Sequence, residues 1–240
     1  MEQYDMIGAR FEESKSTAAF SAADTFTLAA ALGDVSDLAV LDLACGYGYN
    51  TRLLAERGAR KVLGVDISEE MVRLARAHEA RRPLGVEYLV SDVARLPRLE
   101  PFGLATAVYL FNYAPSRAAL RDMFRAIHAN LAAGGRLLAI VPNPAPVPED
   151  DWEVYGVRRL ERIPSGEAPL LRMEFLTEPP TPFQHYEWQL ADFERAARDA
   201  GFAVVGWQPV SPPPPDEERD ESFWQVYRER PISSLMTCTA

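Results

Sequence analysis

LDLACGYGYNT, residues 41–51, reads as a strand running into a glycine-rich turn and then into a helix. Gly46 and Gly48 let the backbone turn sharply and approach a ligand, which a Cβ would obstruct. The helix beyond presents unpaired N–H groups at its N-terminus. A dinucleotide fingerprint would carry a third glycine where Thr51 stands. Asp42, four residues before the first glycine, would repel a pyrophosphate but can pair with a ligand ammonium group. The turn thus favours a ligand with a cationic end over a nicotinamide dinucleotide.

On either side of it, short apolar runs alternate with amphipathic stretches. AVLDLA (39–44) and KVLGVDI (61–67) read as strands, separated by a helix over TRLLAERG (51–58) that stops at a glycine. SEEMVRLARAHEARR (68–82) is a helix with Ser68 as N-cap and two acidic residues in its first turn. VEYLVSD (86–92), LATAVYLF (104–111) and GRLLAIVP (135–142) continue the strands, with a helix over 116–135 between the last two. Continuous apolar strands between helices imply a parallel sheet covered on both faces. The expected class is α/β: a Rossmann-like, doubly wound, mostly parallel seven-stranded sheet with an antiparallel insertion after strand five.

That insertion follows Pro142. WEVYGVRRLERI (152–163), PLLRMEFLT (169–177) and PFQHYEWQ (182–189) read as antiparallel strands. They carry Trp152, Tyr155, Phe175, Phe183, Tyr186 and Trp188, which suit a cap over a planar or apolar acceptor and can equally form the insertion's own small core. The α/β pattern resumes with LADFERAARDAGF (190–202), AVVGWQPV (203–210) and PISSLMTCTA (231–240). Between the last two, SPPPPDEERDE (211–221) is expected to be extended and solvated. The opening segment has helical spacing, with Tyr4, Ile7 and Phe11 on one face. The expected organisation is one domain over 1–240, with 1–33 as a helical lid and 150–188 as an inserted substrate cap.

Asp66 closes the second strand, where a carboxylate can accept hydrogen bonds from both ribose hydroxyls. Ile67 and Met71 can offer an apolar face to adenine, and Asp92, after the third strand, can accept from an adenine amino group. Each aspartate alone has a plainer reading as a helix cap or turn residue. Three at successive strand ends point to a site, because ligands of open α/β sheets bind outside the strand carboxyl ends. Ala44, Asn50, Ser91, Val93 and Tyr109 complete the expected cofactor contacts.

Composition narrows the partners. With 35 acidic against 25 basic side chains the formal charge is -10, which argues against nucleic acid or anionic lipid as a target. The two cysteines form no disulfide framework, and the three histidines share no metal-ligand spacing. The start lacks the apolar core of a signal peptide, and no apolar run approaches the ~20 residues that span a bilayer. A cytoplasmic protein without metal, membrane or nucleic-acid partner is expected, as a monomer or homodimer.

From Val40 to about Gly135 the chain resembles the class I S-adenosylmethionine-dependent methyltransferases. More narrowly it resembles the toxoflavin synthase group, through QYDMIGARFEESK (3–15), LDLACGYGYNTRLLAERGA (41–59), VYLFNYAPSRAAL (108–120) and AGFAVVGWQPVSP (200–212). The resemblance implies S-adenosyl-L-methionine as cofactor and S-adenosyl-L-homocysteine as product. It sets Gly46 and Gly48 at the methionine part, Asp66 at the ribose and Asp92 at the adenine, with Tyr4 closing over the cofactor. Gly103 stands where the family usually carries an aspartate, and a local structural effect is expected there. FNYAP (111–115) lacks the N-P-P-Y pattern of enzymes that methylate nucleobase amino groups or protein amides. VPNP (141–144) lacks the acidic pair of metal-dependent catechol methyltransferases. The implied acceptor is a small molecule, heteroaromatic or a natural product, methylated at nitrogen, oxygen or carbon.

A sulfonium methyl is already electrophilic, so alignment and exclusion of water supply most of the acceleration. A nitrogen with a free lone pair needs no base, whereas an oxygen or carbon nucleophile must lose a proton. Tyr113, where many class I enzymes carry a histidine, is the first candidate for substrate alignment, and His185 is the second. His78 and His128 read as solvated, and Cys45 as a small filler beside the turn. An NAD(P)-dependent reductase and a non-catalytic cofactor-binding module remain the alternatives.

Overall fold

Strands apolar at nearly every position must be covered on both faces. In the computed structural model, which describes residues 4, 5, 12, 15, 18–144 and 149–240 (149–151 without side chains), five such strands pair in parallel. They are β1 (Ala39–Leu43), β2 (Lys61–Asp66), β3 (Glu87–Val90), β4 (Phe102–Val108) and β5 (Leu131–Pro142). β10 (Ser233–Thr239) pairs antiparallel with both β5 and β9 (Val204–Pro209), giving the order β3-β2-β1-β4-β5-β10-β9. The strand order reverses between β1 and β4, and that reversal opens a crevice at the carboxyl ends.

Helices α1 (Ala19–Ala31), α2 (Tyr49–Glu56) and α3 (Glu69–Arg81) cover one face, where Leu28, Leu54 and Val72 join Val40, Val62 and Leu104 in one core. On the other, α4 (Arg117–Asn130) and α5 (Leu190–Asp199) bring Leu120, Phe124 and Phe193 against Leu41, Ala105 and Leu137. Phe124 stacks on Phe111 with ring centroids 3.9 Å apart, and burying such a side chain contributes ~1.5–3 kcal/mol. Ser68 caps α3 as expected, its Oγ accepting from Met71 N at 3.2 Å.

Between β5 and α5 lies a second, antiparallel sheet of β6 (Val157–Ile163), β7 (Leu170–Phe175) and β8 (Thr181–Tyr186). Leu171, Met173, Phe175, Phe183 and His185 are buried while Arg172, Pro182 and Gln184 are exposed, so one face turns inward.

Several boundaries depart from the sequence pattern. The strand expected from 152 starts at Val157, because Glu149–Tyr155 form a 3-10 helix that ends at Gly156. The helix expected to 135 stops at Asn130. The Asn130 side chain there accepts from Leu99 N at 2.7 Å and donates to the Pro97 carbonyl at 3.2 Å, and residues 131–135 are taken into β5. β4 ends at Val108 rather than at 111, since Tyr109 has φ 56° and Phe111–Tyr113 form a 3-10 turn. Gly103 sits where the β4–β5 register shifts, packed against Leu38. The link at 211–221 leads into a helix the pattern did not announce, α6 (Glu221–Glu229), capped by Asp220. Its Trp224 and Tyr227 pack on Tyr155, whose hydroxyl donates to the Phe223 carbonyl at 2.8 Å and accepts from Tyr227 N at 3.0 Å.

Candidate active site

The turn after β1 is bent in an unusual way. Ala44 (φ 53°), Gly46 (φ 56°) and Gly48 (φ 89°) are all left-handed, and so is Tyr109 (φ 56°) at the end of neighbouring β4. A non-glycine residue held in this region costs of the order of 1–3 kcal/mol. Two of them at adjacent strand ends mark a backbone shaped for something besides packing. Gly48 admits no side chain, since a Cβ would run into the Tyr88 phenol.

Asp66 ties this turn to α3. Its carboxylate accepts from Gly46 N at 2.8 Å and from Ser68 N at 2.9 Å. Burial pushes its pKa up while these N–H groups pull it back. Asp42 departs from the expectation of a ligand contact. It is 1% exposed, set in register between Gly64 of β2 and Thr106 of β4, and lines no part of the cavity. Its two oxygens accept from the Thr51 and Thr106 hydroxyls, each at 2.7 Å, and burial raises its pKa to about 6. The alternation of side chains along β1 thus turns it into the protein behind the turn.

A cavity of about 630 Å³ opens at the β1–β4 reversal, within the ~300–1,000 Å³ usual for small-molecule sites. The strand-end turns line one part of it with Ala44, Gly46, Asn50, Asp66, Ile67 and Met71, continued by Asp92 and Val93. Gly48 and Ser91 are not on its wall: Gly48 packs on Tyr88, and Ser91 donates its N–H to the Asp66 carbonyl. Asp92 caps the 3-10 turn Val93–Arg95 through Ala94 N at 2.9 Å.

Tyr4 reaches the cavity from the N-terminal segment, and its hydroxyl is hydrogen-bonded to that of Tyr113. The two rings meet edge to face, 5.8 Å between centroids. Asp5 accepts from Ser68 Oγ at 2.6 Å, and Glu12 pairs with His78 at 3.0 Å. His78 is therefore a half-buried partner of this segment rather than a solvated side chain, and His128 packs edge to face on Phe202. Ile7 and Phe11 lie outside the described residues. Cys45 is buried beside the turn, and burial pushes its thiol well above the usual range, as befits a filler.

The remaining wall is aromatic. Phe20 of α1 lies near-parallel to Phe175 (6.3 Å, 12°), Phe175 to Phe183 (4.1 Å, 12°) and Phe183 to His185 (6.0 Å, 20°). Trp152 joins this wall, whereas Tyr155 and Trp188 face away from it, Trp188 donating to the Ala114 carbonyl at 3.0 Å. The six aromatics of the insertion therefore divide between wall and core. Buried His185 places Nδ1 3.2 Å from the Tyr186 carbonyl, and burial lowers its pKa. Sequence reasoning missed Phe20, Asp24 and Lys15, all of which line the cavity. The available signal was Asp24 itself, the one charged residue in the helix AFSAADTFTLAAA.

Among the described residues no helix is long and apolar enough to cross a membrane, and no three His, Cys, Asp or Glu residues are grouped to hold a metal ion.

Comparison with known proteins agrees with this geometry. Residues 40–135 match the family described as "Methyltransferase domain". N-demethylindolmycin N-methyltransferase from Streptomyces griseus is 28% identical over 188 residues, 78% of each chain. An S-adenosylmethionine-dependent methyltransferase from Mesorhizobium loti shares the fold, with a TM-score of 0.67 and 24% identity over 91% of this chain and 98% of its own. So does 1,6-didemethyltoxoflavin-N1-methyltransferase from Burkholderia thailandensis, with a TM-score of 0.62 and 19% identity over 98% of this chain and 84% of its own. The family match spans the carboxyl ends of β1 to β4 at the crevice, which decides against a nicotinamide reductase. Residues 40–135 form a methyltransferase domain, and the chain is an S-adenosylmethionine-dependent methyltransferase with S-adenosylmethionine as its cofactor.

Proposed function

We propose that the enzyme methylates a planar heteroaromatic or natural-product acceptor, at nitrogen in preference to oxygen or carbon. In this reading the chain is one domain, residues 1–33 being its lid and 150–188 its substrate cap. The observation that carries the proposal is the ladder of near-parallel rings at Phe20, Phe175, Phe183 and His185, in one cavity with the glycine turn. Flat rings reward a flat partner, because stacking adds ~0.5–1.5 kcal/mol to the area buried. The preference for nitrogen is supported by the N-methyltransferases among the similar proteins.

The lining fits the cofactor. Asp66, a buried carboxylate at the end of β2, would hold the ribose, and Asp92 the adenine amino group with Ile67, Met71 and Val93 around the ring. Ala44, Gly46 and Asn50 would take the methionine part, with Tyr4 and Tyr109 closing beside it. Asp42, Gly48 and Ser91 act from behind, by fixing the turn. When bound, S-adenosylmethionine supplies a methyl group already activated by its sulfonium. The protein's task is then alignment and exclusion of water.

Tyr113 orients the acceptor through its hydroxyl. His185 donates its Nδ1–H to the Tyr186 carbonyl, which leaves the Nε2 lone pair as the basic one, and burial keeps the ring neutral. It can therefore receive the proton that an N–H or O–H nucleophile sheds as the bond to the methyl carbon forms.

The test is methyl transfer from labelled S-adenosylmethionine to N-demethylindolmycin, to 1,6-didemethyltoxoflavin and to ring-free amines. Label should enter ring compounds. Transfer confined to ring-free acceptors would overturn the proposal.

A further inference from the structure

Asp24 is the one charged residue of α1, and it faces inward at 3% exposure. Its Oδ1 accepts from Ser233 Oγ at 3.0 Å, and that hydroxyl lies 3.4 Å from the phenol of Tyr109. Its Oδ2 makes no hydrogen bond of good geometry among the described residues, although the Tyr109 phenol is near enough to draw the carboxyl's pKa down. The Lys15 ammonium stands 5.5 Å from the ring centroid of Phe20 and 5.2 Å from that of Tyr109. Asp24, Tyr109, Lys15 and Phe20 line the cavity already described.

A buried carboxylate left half satisfied is costly, and so is an ammonium taken out of water. A merely structural pair would close into contact and satisfy both groups. Here, among the described residues, no ion pair joins Lys15 to Asp24; the ammonium rests over two aromatic faces and one carboxylate oxygen keeps its capacity. Two rings and a carboxylate around one point are the chemistry that receives an organic cation. Burial lowers the Lys15 pKa and raises that of Asp24, while the attraction between them opposes both shifts. Lys15 belongs to the N-terminal segment, so whatever displaces it also acts on the segment that carries Tyr4.

We propose that Phe20, Tyr109 and Asp24 form a cation-recognition site for the acceptor, that the acceptor carries an amine or amidine group, and that the Lys15 ammonium is a stand-in which yields this place to it. The inference rests on the reading of the ringed wall as the acceptor's chamber.

The probes are benzylamine, cationic at neutral pH, and benzyl alcohol, its neutral counterpart in shape. Each is titrated by ligand-observed NMR into protein saturated with S-adenosylhomocysteine. Benzylamine should bind at least tenfold more tightly than benzyl alcohol. Asp24→Asn should abolish that preference, and Lys15→Met should strengthen benzylamine binding severalfold by removing the internal competitor. Equal binding of the two probes, binding of neither, a preference that survives Asp24→Asn, or weaker benzylamine binding in Lys15→Met would each overturn the site. The comparison in the parent protein needs no variant, so it decides even where a substitution prevents folding. If S-adenosylhomocysteine itself failed to bind the parent, the methyltransferase reading would fail first, and that result is separate from all of these.

Discussion

The two parts of the cavity are built in different ways. The glycine-turn part draws on residues 44–93, and its form is set by backbone: left-handed Ala44 and Gly46, and N–H groups held by Asp66. The ringed part draws on α1, the end of β4, β7, β8 and the start of β10. One of its hydrogen bonds, from Ser233 to Asp24, joins residues 209 apart in the chain. The first part lies inside the family match at 40–135, whereas most of the second lies outside it. A part defined by local turns serves a constant cofactor. A part assembled from side chains of distant segments can change from one enzyme to another without disturbing the turns.

The largest expected effect tests whether the turn part stands on buried structure. Asp42, raised from 3.8 to about 6, holds its proton more tightly when folded than when unfolded. Its stabilising contribution is therefore full below about pH 3.8 and is lost as pH rises through about 6. That interval corresponds to about 3 kcal/mol at most. Asp42→Asn cannot ionise, so its unfolding free energy relative to the parent should climb by up to that amount between pH 4 and 7.5. Denaturant melts across this range would show it, and a difference flat with pH would mean that the site under the turn is not dry.

Next comes the segment that joins the two parts. Deleting residues 1–14, which spares Lys15, removes the contacts of Tyr4, Asp5 and Glu12. The melting temperature should hold within a few degrees, since β1 begins only at Ala39. Turnover should fall about 100-fold, the scale of a loss of alignment. A truncated enzyme as fast as the parent would remove the lid from the account.

Asp66→Ala should weaken S-adenosylhomocysteine binding by tenfold or more, because a charged acceptor is worth ~1.5–3 kcal/mol. The same change strips Gly46 N and Ser68 N of their acceptor, so the turn loosens as well. Calorimetry that found the affinity unchanged would take Asp66 out of the site.

These contrasts also explain what was legible beforehand. The parallel sheet, the turn and the positions of Asp66 and Asp92 follow from local rules, periodicity and spacing, and could be read along the chain. Asp42 was misplaced because a strand's alternation says which side a residue faces only once its neighbours are known. Gly64 and Thr106 become those neighbours only through pairing. Asp24 and Lys15 went unread for the same reason, since their partners Ser233 and Tyr109 are distant in sequence. Helix α6 is a different case. Asp220 before an aromatic triplet at Phe223, Trp224 and Tyr227 was visible, but the prolines upstream drew the reading toward an extended link.

The smallest expected effect concerns the seam between the parts, where the hydroxyl of Tyr4 meets that of Tyr113. Burial is the main reason that both phenols titrate high, Tyr4 well above its usual value and Tyr113 at about 12. Neither ionises near neutrality, so the bond is between neutral groups and its net worth is ~0.5–1.5 kcal/mol. Tyr4→Phe and Tyr113→Phe should each lower affinity for S-adenosylhomocysteine by roughly two- to tenfold. Both variants keep the edge-to-face packing of the rings, so the ring contact is not what is lost. Once one hydroxyl is gone the other has lost the same partner. The double variant should therefore be little worse than either single one, and the shortfall from additivity measures the coupling. Losses that simply add would show that the two tyrosines act independently, and that closure over the cofactor is not fastened at this point.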